Sequence, residues 1–219
     1  MKNLILKPTF LMLIALTMFS CGKDDDNSLS GSENLVTITR ELSSFNKINA
    51  GEDIVVNVSE SEVQEVTITV NENLEDKILT AVSNNTLNIT IASGSYRNET
   101  FIVDILIPDL ERIEIDDDCS GIINFNLDQL EIKASDDAEL KLIGTAETLI
   151  VDLSDDGEIY GFAFSTEVLD ADVEDGSELE ITCATELNGS VKDGSRISYR
   201  GNPTINATTS DGGEIVDAN

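Results

Sequence analysis

One carboxylate recurs in the C-terminal half at nearly constant spacing. Asp136, Asp155, Asp175, Asp193 and Asp211 each sit in a short polar stretch: Ser135-Asp136-Asp137-Ala138, Ser154-Asp155-Asp156-Gly157, Glu174-Asp175-Gly176-Ser177, Lys192-Asp193-Gly194-Ser195 and Ser210-Asp211-Gly212-Gly213. Oxygen donors repeated in this way suit calcium, a hard cation that takes six to eight of them. Glu139, Glu158, Glu178 and Glu214 repeat a second acid three residues further on, in a series broken by Arg196. If successive units stack about 4.8 Å apart, each set becomes a column whose like charges repel by roughly 1 kcal/mol per pair in water-like screening. A bound cation would relieve that repulsion. The plainer reading, which the sequence favours, is that tight turns select Asp and Gly and that acidic edges keep a stackable β-protein from aggregating. Asp170 to Gly176 places acids at alternate positions as a calcium loop does, yet its sixth position is Asp175 where Gly is needed, and the twelfth is Ile181 where Glu is needed.

Other chemistry is poorly served. Histidine is absent, which removes the commonest general base and the commonest metal ligand. Besides Cys21 the cysteines are Cys119 and Cys183, too few for a disulfide framework or a structural zinc site. Arg196 and Arg200, with Lys192 beside them, are the one basic group near Asp193 that could abstract a proton in a calcium-dependent β-helix polysaccharide lyase. Neutralisation of the acidic column explains them more simply, and the chain reads as a non-enzyme. With 13 basic and 43 acidic residues, a formal charge of −30, it repels nucleic acid and anionic headgroups and favours cations or cationic partners. Its 40% hydrophobic content is too high for a disordered acidic protein.

The first residues have a different task. Met1 to Lys7 carries two lysines and no acid, Phe10 to Phe19 is apolar apart from Thr17, and Ser20 precedes Cys21. That layout reads as a signal peptide over 1–20, because ten apolar residues fall short of the roughly 20 that span a bilayer. Cys21 stands where a lipobox places its lipidated cysteine, so the membrane is met only through a lipid anchor. Gly22-Lys23-Asp24-Asp25-Asp26 resembles the export signal of Bacteroidota lipoproteins, which implies an outer-membrane lipoprotein exposed on the surface; a solvated charged leader is the alternative. Asn27 to Asn34 extends this into a flexible acidic tether over 21–34, and 35–219 suits one domain.

What must position the acids is a repeat. From Ile113, Leu130, Leu149, Leu169, Leu187 and Ile205, an aliphatic residue follows ten positions later: Ile123, Leu140, Ile159, Leu179, Ile197 and Ile215. The starts are 17, 19, 20, 18 and 18 residues apart, and Asp118-Cys119-Ser120-Gly121 occupies the turn of the first unit. Leu169, Ala171 and Val173 alternate with Asp170, Asp172 and Glu174, the period of a strand with one buried face. Six such units over 109–219 predict an all-β, right-handed parallel β-helix-like solenoid, in which each unit buries its apolar face against the next. A meander or sandwich is the alternative, but neither needs the same turn chemistry at one register. Residues 35–108 alternate strongly at Ile54 to Val58, Val66 to Val70, Leu87 to Ile91 and Phe101 to Ile107, without keeping the period. They predict an irregular strand-rich N-terminal cap, with a short helix around Leu74 to Thr80.

Ser44-Phe45-Asn46-Lys47-Ile48, Ala50-Gly51-Glu52-Asp53-Ile54-Val55-Val56, Asn71-Glu72-Asn73-Leu74, Ile105-Leu106-Ile107-Pro108 and the Asp-Gly units that follow resemble the putative auto-transporter adhesin, head GIN domain family, over roughly Leu35 to Ile215. The resemblance implies a β-helix-like bacterial envelope protein that works as an adhesin-like binding module on a surface or matrix ligand, protein or glycan. It carries no catalytic residues over. The acidity supports a second reading, an envelope protein that captures cationic peptides or proteins, and salt dependence separates the two.

Overall fold

The computed structural model describes residues 28–219; the signal segment, Cys21 and the first part of the tether lie outside the described residues. Strands β1 (Leu29–Ser30), β2 (Leu35–Thr39), β3 (Lys47–Ala50), β4 (Val55–Glu60), β5 (Glu65–Asn71), β6 (Ile78–Ser83), β7 (Thr86–Ile91), β8 (Tyr96–Arg97), β9 (Phe101–Ile107) and β10 (Arg112–Ile115) fill the N-terminal part. Four long strands, β11 (Ser120–Ala134), β12 (Glu139–Leu153), β13 (Glu158–Val173) and β14 (Glu178–Val191), each run round one coil. Shorter pieces complete the stack: β15 (Arg196–Arg200), β16 (Thr204–Ile205), β17 (Thr208–Thr209) and β18 (Glu214–Asp217).

The result is a parallel β-solenoid of about six turns. Leu130, Leu149, Leu169 and Leu187 lie one over the next, as do Leu140, Ile159, Leu179 and Ile197, all buried. Leu169, Ala171 and Val173 point into the core while Asp170 and Asp172 are exposed. Alternation thus gives each coil an apolar inner wall, and stacking hides it.

The first unit departs from the expected register. Ile113 pairs with Ile132 and not with Leu130, so the first spacing is 19 residues and not 17. Ile123 likewise pairs with Leu142, not Leu140. A slip of two residues keeps every inward side chain inward, so period-two alternation alone does not fix register. The turn fixes it, and the first turn is Asp116-Asp117-Asp118-Cys119, two residues earlier than the aliphatic pattern implies: Cys119 N–H donates to the Asp116 carbonyl at 3.1 Å.

The N-terminal part is more than a cap. One face of the coil continues in parallel through β10, β3 and β7 and ends in the antiparallel strand β6; the other continues in parallel through β4 and β9 and ends in antiparallel β5 and β2. The helix expected around Leu74 to Thr80 is only a 3-10 turn, Glu72–Leu74, before β6 begins. Leu74 is fully buried at this end of the core, and Ile78, Thr80 and Val82 then turn inward at strand spacing. A tight hairpin joins β6 to β7 through Asn84 and Asn85, at φ 50° and 63°, the left-handed pair that a two-residue hairpin turn requires.

Residues 28–34, read from composition as tether, are partly built into the fold. Leu29–Ser30 pairs with Tyr96–Arg97, and the Asn71 and Asn73 amide groups donate to the Ser32 and Ser30 carbonyls at 2.7 and 2.8 Å.

β13 makes the longest coil because register shifts between Gly161 and Ser165 insert Phe162, Ala163 and Phe164. Gly144 is paired with both Phe125 and Phe164, the two fully buried phenylalanines of the neighbouring coils. Its φ of 119° and the overlap that a Cβ would make with the Phe125 carbonyl restrict this position to glycine.

Candidate functional site

Every coil has two edges, and acids line both. At the first edge the chain reverses in a four-residue turn whose two central residues both have positive φ: Asp117 and Asp118, Asp136 and Asp137, Asp155 and Asp156, Asp175 and Gly176, Asp193 and Gly194, Asp211 and Gly212. Asp and Gly are among the few residues that accept this conformation cheaply. Asp136, Asp155, Asp175, Asp193 and Asp211 therefore occupy one equivalent position, which Asp117 extends. The turns are also hydrogen-bonded along the stack. Asp137 N–H donates to Asp155 O at 3.0 Å, Asp156 to Asp175 O at 2.9 Å, Gly176 to Asp193 O at 3.1 Å and Gly194 to Asp211 O at 3.1 Å.

Beside this ladder, Glu139, Glu158, Glu178, Arg196 and Glu214 form one register column, in which Arg196 contacts Glu214 at 3.0 Å. The crowding is felt at Asp175, whose carboxyl is raised by desolvation and then by Glu174, Asp155 and Asp193. Asp116 is raised by desolvation, followed by Asp117, Asp136, Glu114 and Glu52. Among the described residues no group of three or more Cys, Asp or Glu is gathered tightly enough to hold a metal ion. The carboxylates stand in line without converging.

The second edge is a bend within the long strands, and there the coils leave a groove of about 500 Å³. Asn126, Thr145 and Ser165 form one exposed line across β11, β12 and β13. Asp128, Glu147 and Glu167 lie two residues further along each strand, also exposed. Between the two lines the floor is Leu127, Ala146 and Thr166, with Ala146 5% exposed and Thr166 1%. The polar line is bonded to itself, with Thr145 Oγ1 and Asn126 Oδ1 3.1 Å apart, and Thr166 is held by its hydroxyl on the Val168 carbonyl at 2.8 Å. Asp128, Glu147 and Glu167 take part in none of the salt bridges among the described residues.

The face that carries β10 is the reverse case. Lys133 contacts Asp152 at 2.6 Å, Arg112 contacts Glu114 at 2.6 Å and Glu131 at 3.1 Å, and Lys192 pairs with Glu174. Most charges there are satisfied by one another; Asp172 accepts only from the Ser190 hydroxyl, at 2.7 Å, and Asp170 is exposed without an ion pair among the described residues. The three basic residues considered for proton abstraction are also engaged separately: Lys192 with Glu174, Arg196 with Glu214, and Arg200 over the Phe162 ring at 4.0 Å. Cys119 and Cys183 are buried and free. Burial, with a smaller contribution from Asp116, pushes the Cys119 thiol up to about 12, so it is a packing residue and not a nucleophile.

The groove residues carry a weak signal that the sequence reading passed over. Asn126-Leu127-Asp128, Thr145-Ala146-Glu147 and Ser165-Thr166-Glu167 repeat a polar residue, an inward residue and an acid, each ending two positions before the aligned Leu130, Leu149 and Leu169. Gly144 precedes the second triplet, but no Gly or Pro recurs beside the other two, so the triplets share no turn signature to draw attention to them.

The model of the putative auto-transporter adhesin, head GIN domain family matches residues 44–203. The chain belongs to this family. Solved structures share the fold. A putative adhesin from Bacteroides fragilis is 20% identical, with 86% of this chain and 99% of that one covered at a TM-score of 0.68. A putative adhesin from Parabacteroides merdae is 17% identical over 88% and 100% of the two chains at 0.56. A structure from Parabacteroides distasonis described as a putative lipid binding protein is 17% identical over 86% and 98% at 0.54. No curated protein matches the chain. The family name supports an adhesin-like, cell-surface role for this head GIN protein, and no helix among its described residues is long and apolar enough to cross a membrane.

Proposed function

We propose that this head GIN protein is a non-enzymatic, adhesin-like binding module of the cell envelope, held at the outer membrane by lipid on Cys21, with its ligand seated along the bend groove. One observation carries the reading: three exposed carboxylates, Asp128, Glu147 and Glu167, face a line of amide and hydroxyl groups across a floor of Leu127, Ala146 and Thr166, and among the described residues no cation pairs with them. Acceptors at strand spacing suit an extended ligand that brings donors, such as the hydroxyls of a glycan or the amides of a surface protein. The test is binding of the chain to isolated envelopes and matrix material, with Thr145→Val and Glu147→Gln compared with the parent. Reduced binding in both variants at an unchanged melting curve is expected. Equal binding by all three would remove the groove from the proposal.

The unpaired carboxylates also favour a second reading, capture of cationic peptides. Binding of that kind fades between 0.1 M and 1 M salt, as the Debye length falls from about 10 Å to about 3 Å. A hydrogen-bonded glycan largely survives that change.

A further inference from the structure

The two ends of the solenoid differ in how their strand edges are finished. At the C-terminal end β18 pairs, among the described residues, only with β15 and carries Glu214 and Asp217. At the N-terminal end β6 pairs, among the described residues, only with β7, and its six residues, Ile78 to Ser83, include no charge, no proline and no bulge. Native edges are ordinarily blunted by one of those devices. In a chain with a formal charge of −30 such uncharged edges stand out; β2 is the other one at this end, paired with β5 alone among the described residues.

Which backbone groups of β6 are unused follows from one hydrogen bond. Ala92 N–H donates to Lys77 O at 2.8 Å, so Lys77 and Ala92 form a hydrogen-bonded pair. Such pairs alternate with non-bonded ones along an antiparallel ladder. Leu79, Ala81 and Ser83 therefore spend their backbone groups on β7, opposite Thr90, Asn88 and Thr86. The N–H and C=O groups of Ile78, Thr80 and Val82 point to the open side.

We propose that β6 is a self-association edge, which pairs antiparallel with β6 of a second copy about a two-fold axis at Thr80. In that register Thr80 faces Thr80 of the second copy and Ile78 faces its Val82, and the outward groups of all three residues are satisfied. Leu79, 49% exposed in the single chain, then lies opposite Ala81. The arrangement is self-complementary in charge as well: Lys77 meets Ser83 and Asp76 meets Asn84, so no like charges oppose. Inward side chains stay on one side of the continuous sheet, which sets the two solenoids end to end with their C-terminal ends far apart. A second copy is the occupant because β6 paired with itself opposes no like charges, whereas β2 paired with itself about Thr37 would set Glu33 against Glu41 and β18 carries two acids of its own.

The test is sedimentation equilibrium of the chain from Cys21 onward with Cys21→Ser, together with the variant Thr80→Pro. Proline at Thr80 removes an outward N–H and leaves the β7 ladder intact, the position at which an edge strand tolerates it. The parent should show a twofold mass that dissociates on dilution, and Thr80→Pro should remain monomeric with the same circular dichroism. Hydrogen exchange on the parent supplies a readout that does not depend on the variant folding: the Ile78, Thr80 and Val82 amides should gain about tenfold or more protection with rising concentration. A monomeric parent at its highest soluble concentration, fast exchange of those amides at every concentration, or a dimer that survives Thr80→Pro would each overturn the proposal.

Discussion

The two edges of the coil carry the same residue types for different reasons. At the turn edge the backbone demands them: Asp136 and Asp137 stand at φ 55° and 60°, where a side chain other than Asp, Asn or Gly is strained. At the bend edge Asp128, Glu147 and Glu167 lie in extended strand, where any residue suits the backbone. An acidic column that the turn geometry already explains is weak evidence for a ligand. An acidic line that no backbone or ion pair accounts for is stronger evidence. A count of carboxylates cannot tell the two apart; the dihedral angles and the pairing can.

The largest expected effect tests the turn side. Replacing Asp136 and Asp137 together by Val should destabilise the fold by about 2–4 kcal/mol, at roughly 1–2 kcal/mol for each left-handed residue, measured by denaturant unfolding. The double change Asp136→Asn with Asp137→Gly should cost little. If the Val pair were also harmless, the backbone account of the turn acids would fail.

A smaller effect isolates charge from conformation. Asp155→Asn with Asp175→Asn keeps residues that tolerate positive φ and removes two like charges, so the melting temperature should rise by on the order of 1–3 °C in low salt and the gain should vanish in high salt. Calcium should raise the parent's Tm no more than magnesium at equal ionic strength if the ladder is only solvated. A calcium-specific rise that the Asn pair abolishes would restore a cation site to the turns, because magnesium demands tighter octahedral geometry.

Acidification should act in the same direction. Desolvation and neighbouring acids raise the carboxyls of Asp116 and Asp175 above the usual aspartate value of 3.8, so the folded state favours their protonated forms. The stability they confer is complete below 3.8 and is lost as pH rises through the folded values. Cooling the repulsion by lowering pH from neutrality to just above 3.8 should therefore raise Tm, and Asp116→Asn with Asp175→Asn should flatten that slope. The smallest effect belongs to the bend. Asp128→Asn, Glu147→Gln and Glu167→Gln together should change stability by less than about 0.5 kcal/mol while weakening ligand binding. A large loss of stability there would make the groove acids structural after all.

Much of this architecture was legible in the sequence. The Leu130, Leu149, Leu169 and Leu187 column and the stacked Asp turns follow from period-two alternation and repeated turn residues. The first coil was not, because a slip of two residues preserves the alternation and Ile113 is as aliphatic as Leu110 or Leu130. The span from Leu74 to Thr80 was misjudged for a related reason: Leu74, Ile78 and Leu79 fit helical spacing, but Ile78, Thr80 and Val82 also fit a strand, and pairing with β7 decides between them. The groove escaped notice because its acids sit at a bend that has no local signature and arises only when three coils are laid side by side.

The small clip between β1 and β8 has a mechanical consequence. Leu29 N–H to Ser95 O at 2.8 Å and Gly31 N–H to Arg97 O at 2.9 Å are the backbone bonds through which any pull arriving from before Leu29 first enters the fold. Two bonds and the Asn71 and Asn73 amides yield at far lower force than the long rungs from β11 to β14, where 14, 13 and 12 residue pairs would have to shear at once. Under load the clip should open first, release a few residues of slack, and leave the solenoid and its proposed binding edge intact, so that the joint would work as a breakaway link between whatever holds the chain's N-terminal side and the rigid coils.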